Sequence, residues 1–380
     1  MTIHWCGTGL SAIPGLRRLI SAGHEVTVWN RSLDKATDAV GDLTDRIQAF
    51  DMEHLGAELN KGDVVVSMLP GDWHVPLAKL CIANFAHLVS SSYIAPEMSA
   101  LDAEAKLASV ALVNEVGLDP GIDHLMAHWL VEDYKKSKAY DKDAVISFIS
   151  YCGGIPKHPN PFRYKFSWSP LGVLKALRSP SKSIRAFSEL AVQRPWDAIS
   201  SYIAPLQVPE SFEVYPNRDS LPFIDQYHFE GSWKIKEFVR GTLRLNGWAD
   251  AWADVFDEVE TLEGPSGDAR LKEMSDTFWA ENSYSENEPD RVIMCVALKA
   301  ETDGAPIYHK TYTMDAWGDL RGTAMARLVS GPVSLAVEAV QNREIPVGVS
   351  AAPFDPKLIN RWMDEVDTLA QHVQIVNHLK

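Results

Sequence analysis

The sequence predicts an α/β protein: a parallel, doubly wound sheet in the first third of the chain, then a second domain with a mixed sheet of its own. Three observations predict it. Strand-like and helix-like stretches alternate with short connections up to about residue 128. A glycine motif, GTGLSA, stands between the first strand and the first helix. Beyond that point the texture changes to longer strand-like runs, an aromatic loop and acidic helices.

In order, TIHWCG (2–7) reads as the first strand, and SAIPGLRRLISAG (11–23) as a one-sided apolar helix stopped at Gly23. HEVTVWN (24–30) is the second strand, DKATDAVGDL (34–43) the second helix and RIQAFD (46–51) the third strand. GDVVVSMLP (62–70) is a continuous apolar run of the kind that parallel sheets bury on both faces. HLVSSSY (87–93) and VALVNEV (110–116) supply the fifth and sixth strands. Further on, AVISFISYCGG (144–154), KIKEFVRGTLRLNGW (234–248) and RVIMCVALKAE (291–301) read as strands. PKHPNPFRYKFSWSP (156–170) is a loop rich in proline and aromatics. Residues 171–200 and the acidic, Trp-rich 249–285 read as helical, and PKLINRWMDEVDTLAQHV (356–373) as an amphipathic terminal helix. Trp248, Trp252 and Trp279 are expected in cores and interfaces.

A chain of 380 residues is long for a single core and points to more than one domain. Lys+Arg number 36 and Asp+Glu 51, a formal charge of −15. That balance argues against nucleic-acid or anionic-membrane partners, which want a basic face. A small acidic substrate stays open, because a few local arginines override the global sign. Cys6, Cys81, Cys152 and Cys295 lie far apart without C-x-x-C spacing, so neither a zinc site nor a disulfide framework is expected. The opening MTIHWCGTG lacks a basic leader, and no apolar run approaches the ~20 residues of a membrane helix. A cytoplasmic location is the expectation. His124 and His128 have the spacing of metal ligands but no third partner, and no metal is expected.

Gly7 to Ala12 read G-x-G-x-x-A. In such a loop the first glycine allows the tight turn, the second admits a pyrophosphate, and the small third residue lets helix and strand pack closely. Gly7, Thr8, Gly9 and Leu10 are therefore candidate dinucleotide contacts, with the helix N-terminus facing the phosphates. The second strand ends in WNRSLD, where NAD sites usually carry an acid. Asn30, Arg31 and Ser32 instead suit a 2′-phosphate, which favours NADP over NAD. Asp34 reads as the cap of the next helix. Asp51 is either an adenine neighbour or a strand-end turn residue. Leu69 and Pro70 close the fourth strand at the edge where the cofactor should lie.

Six stretches then follow one another: SSYIAP (91–96), NEVGLDPGIDHLMA (114–127), SYCGGIP (150–156), NPFRYKFSWSPLGVL (160–174), YPNRDS (215–220) and RGTLR (240–244). In order and spacing they resemble the saccharopine reductase family, also called saccharopine dehydrogenase (L-glutamate-forming). The resemblance implies a Rossmann domain over 1–122, with a C-terminal segment of about 340–380 packing back on it. It implies a mixed α/β substrate and dimerisation domain over 123–339, with mostly helical regions at about 171–215 and 249–285, and a homodimer. The implied reaction is reversible, NADP-linked cleavage of saccharopine to L-glutamate and 2-aminoadipate 6-semialdehyde in lysine metabolism.

Saccharopine carries three carboxylates and a secondary amine, so cations must gather around it. The resemblance points to Arg218 and Arg244, with Arg163 in the aromatic loop, and to Ser92, Tyr93, Thr242 and the backbone of Leu243 as hydrogen-bond partners. Leu118, Asp119 and Pro120 would border the nicotinamide, with Asp119 facing the amine. Asp119, Cys152 and Tyr93 are candidate acid/base groups, Lys165 a weaker one. Cys152 is equally readable as a small core residue, although Gly153 and Gly154 beside it suggest close approach to a ligand. The rival readings are an imine reductase of the carboxynorspermidine dehydrogenase type and a non-catalytic nucleotide-sensing protein.

Overall fold

The structure, a computed structural model, describes residues 1–379. The chain divides into two compact units, each with its own sheet: Met1–Leu125 with Met325–Leu369, and Met126–Ala324 with the residues from Ala370 on.

The first unit holds β1 (Ile3–Cys6), β2 (Val26–Asn30), β3 (Ile47–Ala49), β4 (Val64–Ser67), β5 (His87–Ser90) and β6 (Ala111–Val113). They lie in the order β6-β5-β4-β1-β2-β3, all parallel, and the strand Gly348–Ser350 adds a seventh beside β6. This is the doubly wound Rossmann order, whose direction of winding reverses between β1 and β4. Helices α1 (Ile13–Ser21), α2 (Leu33–Val40), α3 (Met52–Glu58) and α4 (His74–Ala83) belong to the crossovers. Val64, Val65 and Val66 are wholly buried, as expected of a central strand covered on both sides.

The returning segment starts earlier and stops sooner than the sequence suggests. Helix Ala324–Gln341 meets α1 where Gly15 leaves no room: a Cβ there would lie 2.0 Å from the Ser330 carbonyl oxygen. The Gly15 N–H donates to Ser330 Oγ at 2.8 Å. Gly15→Ala is expected to destabilise by about 1–3 kcal/mol through overpacking, read as a lower Tm. An unchanged Tm would contradict this contact. Helix Pro356–Leu369 buries Leu358, Ile359, Trp362, Met363 and Val366 along one stripe. Each such large apolar side chain contributes about 1.5–3 kcal/mol.

The second unit holds β7 (Val145–Pro156), β8 (Ser181–Arg185), β9 (Ser188–Val192), β10 (Ser200–Ala204), β11 (Glu210–Pro216), β12 (Lys234–Leu245), β13 (Asp290–Thr302) and β14 (Ala305–Trp317). Its nine-stranded sheet runs β10-β11-β12-β7-β13-β14 and ends in the strand His372–Asn377, with the β8–β9 hairpin hanging off β12. Only β12 and β7 are parallel, so the sheet is mixed, as expected.

Two expectations are corrected here. The residues after Leu369 do not belong with the Rossmann unit, since His372–Asn377 is an edge strand beside β14. The region 171–215 is not mostly helical either. Its one α-helix is Pro170–Arg178, capped by the Ser169 hydroxyl, and β8 to β11 make up most of the rest. The second helical region does form, as Trp248–Ala251, Ala253–Glu260 and Gly264–Asn282. Trp248 and Trp252 are wholly buried there among Tyr164, Phe166 and Tyr215, whereas Trp279 stays exposed. Among the described residues no helix is long and apolar enough to cross a membrane.

Candidate active site

The glycine loop leaves β1 at Gly7, whose φ of +103° suits glycine. A Cβ there would sit 2.9 Å from the Met68 carbonyl oxygen, which brings the ends of β1 and β4 together at the reversal point. Gly9 faces open space and Leu10 is exposed. No side chain caps α1; Pro14 has no N–H and Gly15 donates to Ser330, which leaves the Ile13 N–H and others of the preceding loop to a ligand. The Thr8 hydroxyl is buried without a protein partner in the same loop. Open N–H groups, an unpartnered hydroxyl and a glycine pressed on β4 fit a bound pyrophosphate. Leu69 is half-buried against this turn and Pro70 is exposed.

The β2 end differs in detail from the sequence reading. Asn30 Oδ1 accepts the Thr8 N–H at 3.2 Å, and its Nδ2 donates to the Ser32 carbonyl at 2.7 Å. Asn30 therefore braces the glycine loop before it meets any ligand. Ser32, not Asp34, caps α2, accepting from the Lys35 N–H, and Asp34 lies in the first turn. Asp51 caps α3, accepting from the His54 N–H at 2.8 Å, which favours its turn reading over an adenine role. Arg31 is exposed and free to meet a 2′-phosphate.

Past β5 a hydrogen-bonded chain leads to the acid in the GLDPG turn. His74 Nδ1 is 2.8 Å from Ser67 Oγ, and its Nε2 is 2.8 Å from Ser92 Oγ. The next residue, Tyr93, donates its O–H to Asp119 Oδ1 at 3.1 Å. The turn itself is tight: the Gly117 N–H donates to the Pro120 carbonyl, and the Ile122 N–H to the Gly117 carbonyl. Gly121, at φ +147°, has the Gly117 carbonyl oxygen 2.1 Å from where a Cβ would stand. Gly117 and Gly121 thus account for the turn, and Asp119 is left to meet Tyr93. Leu118 and Pro120 are buried, and the Asp119–Pro120 peptide is cis.

His74 is not foreseen from the sequence; no pattern marks a histidine that closes a serine bridge from the far end of a loop. Burial lowers its pKa below the usual 6.5, with Asp72 opposing weakly. The folded protein therefore resists a proton that the unfolded chain accepts. Stability is unaffected above the unfolded value and falls as pH drops below 6.5 toward the lowered folded value. His74→Gln is expected to reduce the loss of Tm on acidification through that window. An identical loss in both proteins would remove His74 from the account.

In the second unit, sheet register brings together residues far apart in sequence. Thr242 of β12 lies beside Cys152 of β7 and opposite Tyr215 of β11. Paired residues share a face, and residues two apart on a strand do too. Arg240, Thr242, Arg244, Cys152 and Tyr215 therefore line one face. Leu243 points the other way into the core with Val239 and Val214, which leaves only its backbone to serve a ligand. Cys152 is buried, and the glycine beside it has a packing reason: a Cβ on Gly153 would lie 2.3 Å from the Leu243 carbonyl oxygen.

Arg244 is the distinctive group on this face. It is 5% exposed, and its guanidinium stands over Tyr164, Trp248 and Tyr215 at 4.7, 5.4 and 5.6 Å. Its Nε has no partner, and among the described residues no carboxylate pairs with it. Burial pushes the Tyr215 phenol pKa up, against the opposing effect of Arg244, so the ring stays neutral. Arg240, which the sequence does not single out although RGTLR contains it, is buried over Phe223 at 3.9 Å. Arg163 and Arg218 are exposed, both with left-handed backbone, at φ +54° and +58°. Lys165 pairs with Glu288 at 2.6 Å, the ordinary role for such a lysine. All four cysteines are buried, and none forms a disulfide among the described residues.

A parallel sheet wound in this order, with an open glycine loop at its reversal point, is the arrangement of the dinucleotide-binding class of Rossmann proteins. Residues 5–113 match the family model for the saccharopine dehydrogenase NADP binding domain, and residues 117–369 that for the saccharopine dehydrogenase C-terminal domain. The chain belongs to the saccharopine dehydrogenase family. It is 36% identical over 249 residues to the saccharopine dehydrogenase [NADP(+), L-glutamate-forming] of Pyricularia oryzae, a match covering 64% of this chain and 54% of that one. The chain thus spans about half the length of that relative. The Saccharomyces cerevisiae protein of the same description is 28% identical over 446 residues, covering 95% of each chain. The structure of apo saccharopine dehydrogenase (L-Glu forming) from that yeast superposes with a TM-score of 0.79, 25% identity and 99% coverage of both chains.

Proposed function

We propose that this protein catalyses the reversible, NADP-linked oxidative cleavage of saccharopine to L-glutamate and 2-aminoadipate 6-semialdehyde. The observation that carries the reading is Arg244, a buried guanidinium without a protein carboxylate, on the strand face that also holds Thr242 and Cys152. A buried cation left without a counter-ion is costly and suits a ligand that brings its own. Saccharopine brings three carboxylates, and the exposed Arg163 and Arg218 are further cations for them. Within the second unit Thr242 and the Leu243 backbone would add polar contacts, and within the first Ser92 and Tyr93 would.

When bound, the nicotinamide cofactor would supply the acceptor for a hydride from the carbon beside the substrate amine. Gly7 to Leu10 and the open end of α1 would hold its pyrophosphate, with Arg31 at the 2′-phosphate. Leu69, Pro70 and the Leu118–Asp119–Pro120 turn would flank it. Water must then add to the resulting imine, and the adduct must expel an amine. Asp119 takes the proton from water and returns one to the departing nitrogen, and the Tyr93 O–H holds the carboxylate in orientation. Cys152 is a secondary candidate for proton transfer.

Turnover of saccharopine should be much faster per KM with NADP⁺ than with NAD⁺. Arg31→Ala should reduce that preference by about tenfold or more by removing a charge-assisted contact. Equal rates with both cofactors in the unaltered enzyme would defeat the NADP assignment. We further place the protein in the cytoplasm as a homodimer. Supporting the dimer, Ile203 and Val208 are 67% and 78% exposed at one edge of the second sheet. Near it lies a cavity of about 490 Å³ bordered by Tyr151 and Tyr202 and also by the charged Arg185, Glu237 and Lys299. Sedimentation at a single-chain mass would refute the dimer.

A further inference from the structure

We infer that Glu115 is a positioning residue: it ties the segment carrying Tyr93 to the turn carrying Asp119, and so sets the phenol–carboxylate geometry. The inference rests on the reading of Tyr93 and Asp119 as the reacting acid/base pair.

Glu115 is 3% exposed and sits just past β6 with a left-handed backbone, φ +55°. Glycine or asparagine occupies such a position at little cost; a glutamate there costs about 1 kcal/mol or more, so its side chain must be holding something. Its contacts identify what is held. The Glu115 N–H donates to the Ser92 carbonyl at 3.0 Å, and Glu115 Oε1 accepts the Ile94 N–H at 2.9 Å. One residue thus grips the backbone on both sides of Tyr93. The other carboxylate oxygen, Oε2, lies 3.0 Å from His124 Nε2, with both side chains buried.

His124 belongs to the far side of the GLDPG turn. Its backbone N–H donates to the Gly121 carbonyl at 3.0 Å. Its Nδ1 lies 3.5 Å from Asp123 Oδ2, while Asp123 Oδ1 accepts the Gly121 N–H at 2.7 Å. The route from Tyr93 to Asp119 therefore runs through Glu115 and the His124–Asp123 pair to the glycine that closes the turn. An apolar side chain would fill the Glu115 site with no desolvation cost, but it could not grip the Ile94 amide or reach His124 with a polar atom.

Glu115→Ala and Glu115→Gln would be compared with the unaltered protein by hydrogen exchange over 91–95 and 117–124, together with steady-state kinetics. In Glu115→Ala the Ile94 amide is expected to exchange about tenfold faster or more, and 117–124 to loosen with it. The kcat for saccharopine should fall by up to about 100-fold from misplacement of the reacting groups, with the KM for NADP⁺ unchanged. Glu115→Gln keeps an acceptor for Ile94 and should lie between; should Glu115→Ala fail to fold, the same two readouts on Glu115→Gln decide. In a Tyr93→Phe background the Glu115 substitution should cost less in kcat, because part of what it positions is gone. Exchange that rises in one segment only, or a kcat that does not fall, overturns the inference. An unaltered protein inert toward saccharopine would sink the functional reading, while the exchange comparison would still decide the tie.

Discussion

Asp119→Ala is expected to lower kcat by about 10²–10⁴-fold, the usual worth of a positioned acid/base group. The KM for NADP⁺ should hardly move, and the pH profile of kcat should lose the limb that this carboxyl controls. The expectation follows from the turn. Gly117 and Gly121 satisfy its backbone, so the alanine variant should fold and bind cofactor. What it loses is the oxygen that accepts the Tyr93 O–H. Tyr93→Phe removes the donor and keeps the carboxylate, so its kcat should fall less. A profile of unchanged shape in Asp119→Ala would reduce that residue to orienting the substrate, and Cys152 would become the leading acid/base candidate.

Arg244→Met should raise the KM for saccharopine by about 10²–10³-fold, the scale of losing one partner from a buried charge pair. The same substitution should leave the protein equally stable or more so. An arginine that supports a fold leaves an unpaired acid behind when removed and destabilises strongly. Arg244 has no such acid, and methionine fills the aromatic surround of Tyr164, Tyr215 and Trp248 without a buried charge. A higher Tm beside a much higher KM identifies a residue kept for its ligand. A lower Tm with unchanged KM would make it structural and take away the main support for a carboxylate-rich substrate.

The Rossmann unit is legible because its signals are local. Val64 to Val66 form a short apolar run, GTGLSA fixes the first crossover, and the spacing of turns supplies the rest. The 171–215 region misleads because its hairpin hides its turn. β8 and β9 are joined by Ala186 and Phe187, both left-handed at φ +47° and +66°. That geometry usually announces itself as Asn-Gly, and Ala-Phe gives no such notice. The edge strand His372–Asn377 merges into a helix reading for a similar reason. Gln371 to Gln374 extend the amphipathic pattern, and only pairing with β14 makes the segment a strand.

The candidate site is legible where motifs hold it and invisible where pairing builds it. Asp119, Tyr93 and Arg244 lie in stretches that read as functional from the sequence. That Thr242 abuts Cys152 depends on the register of two strands some ninety residues apart in the chain. His74 carries no sequence signal, and Glu115 is not singled out although NEVGLDPGIDHLMA contains it, since each acts through atoms of a distant segment. Asn30 and Ser32 stand at the end of β2 where the sequence puts them, but each already fills a backbone role that composition alone does not reveal.

The central claim is tested most directly by the products of a single incubation. Purified protein with saccharopine and NADP⁺ should release glutamate and 2-aminoadipate 6-semialdehyde in equal amounts, each matched by one NADPH followed by absorbance. Absence of reduced cofactor with both NADP⁺ and NAD⁺, or reduction without glutamate release, would contradict it.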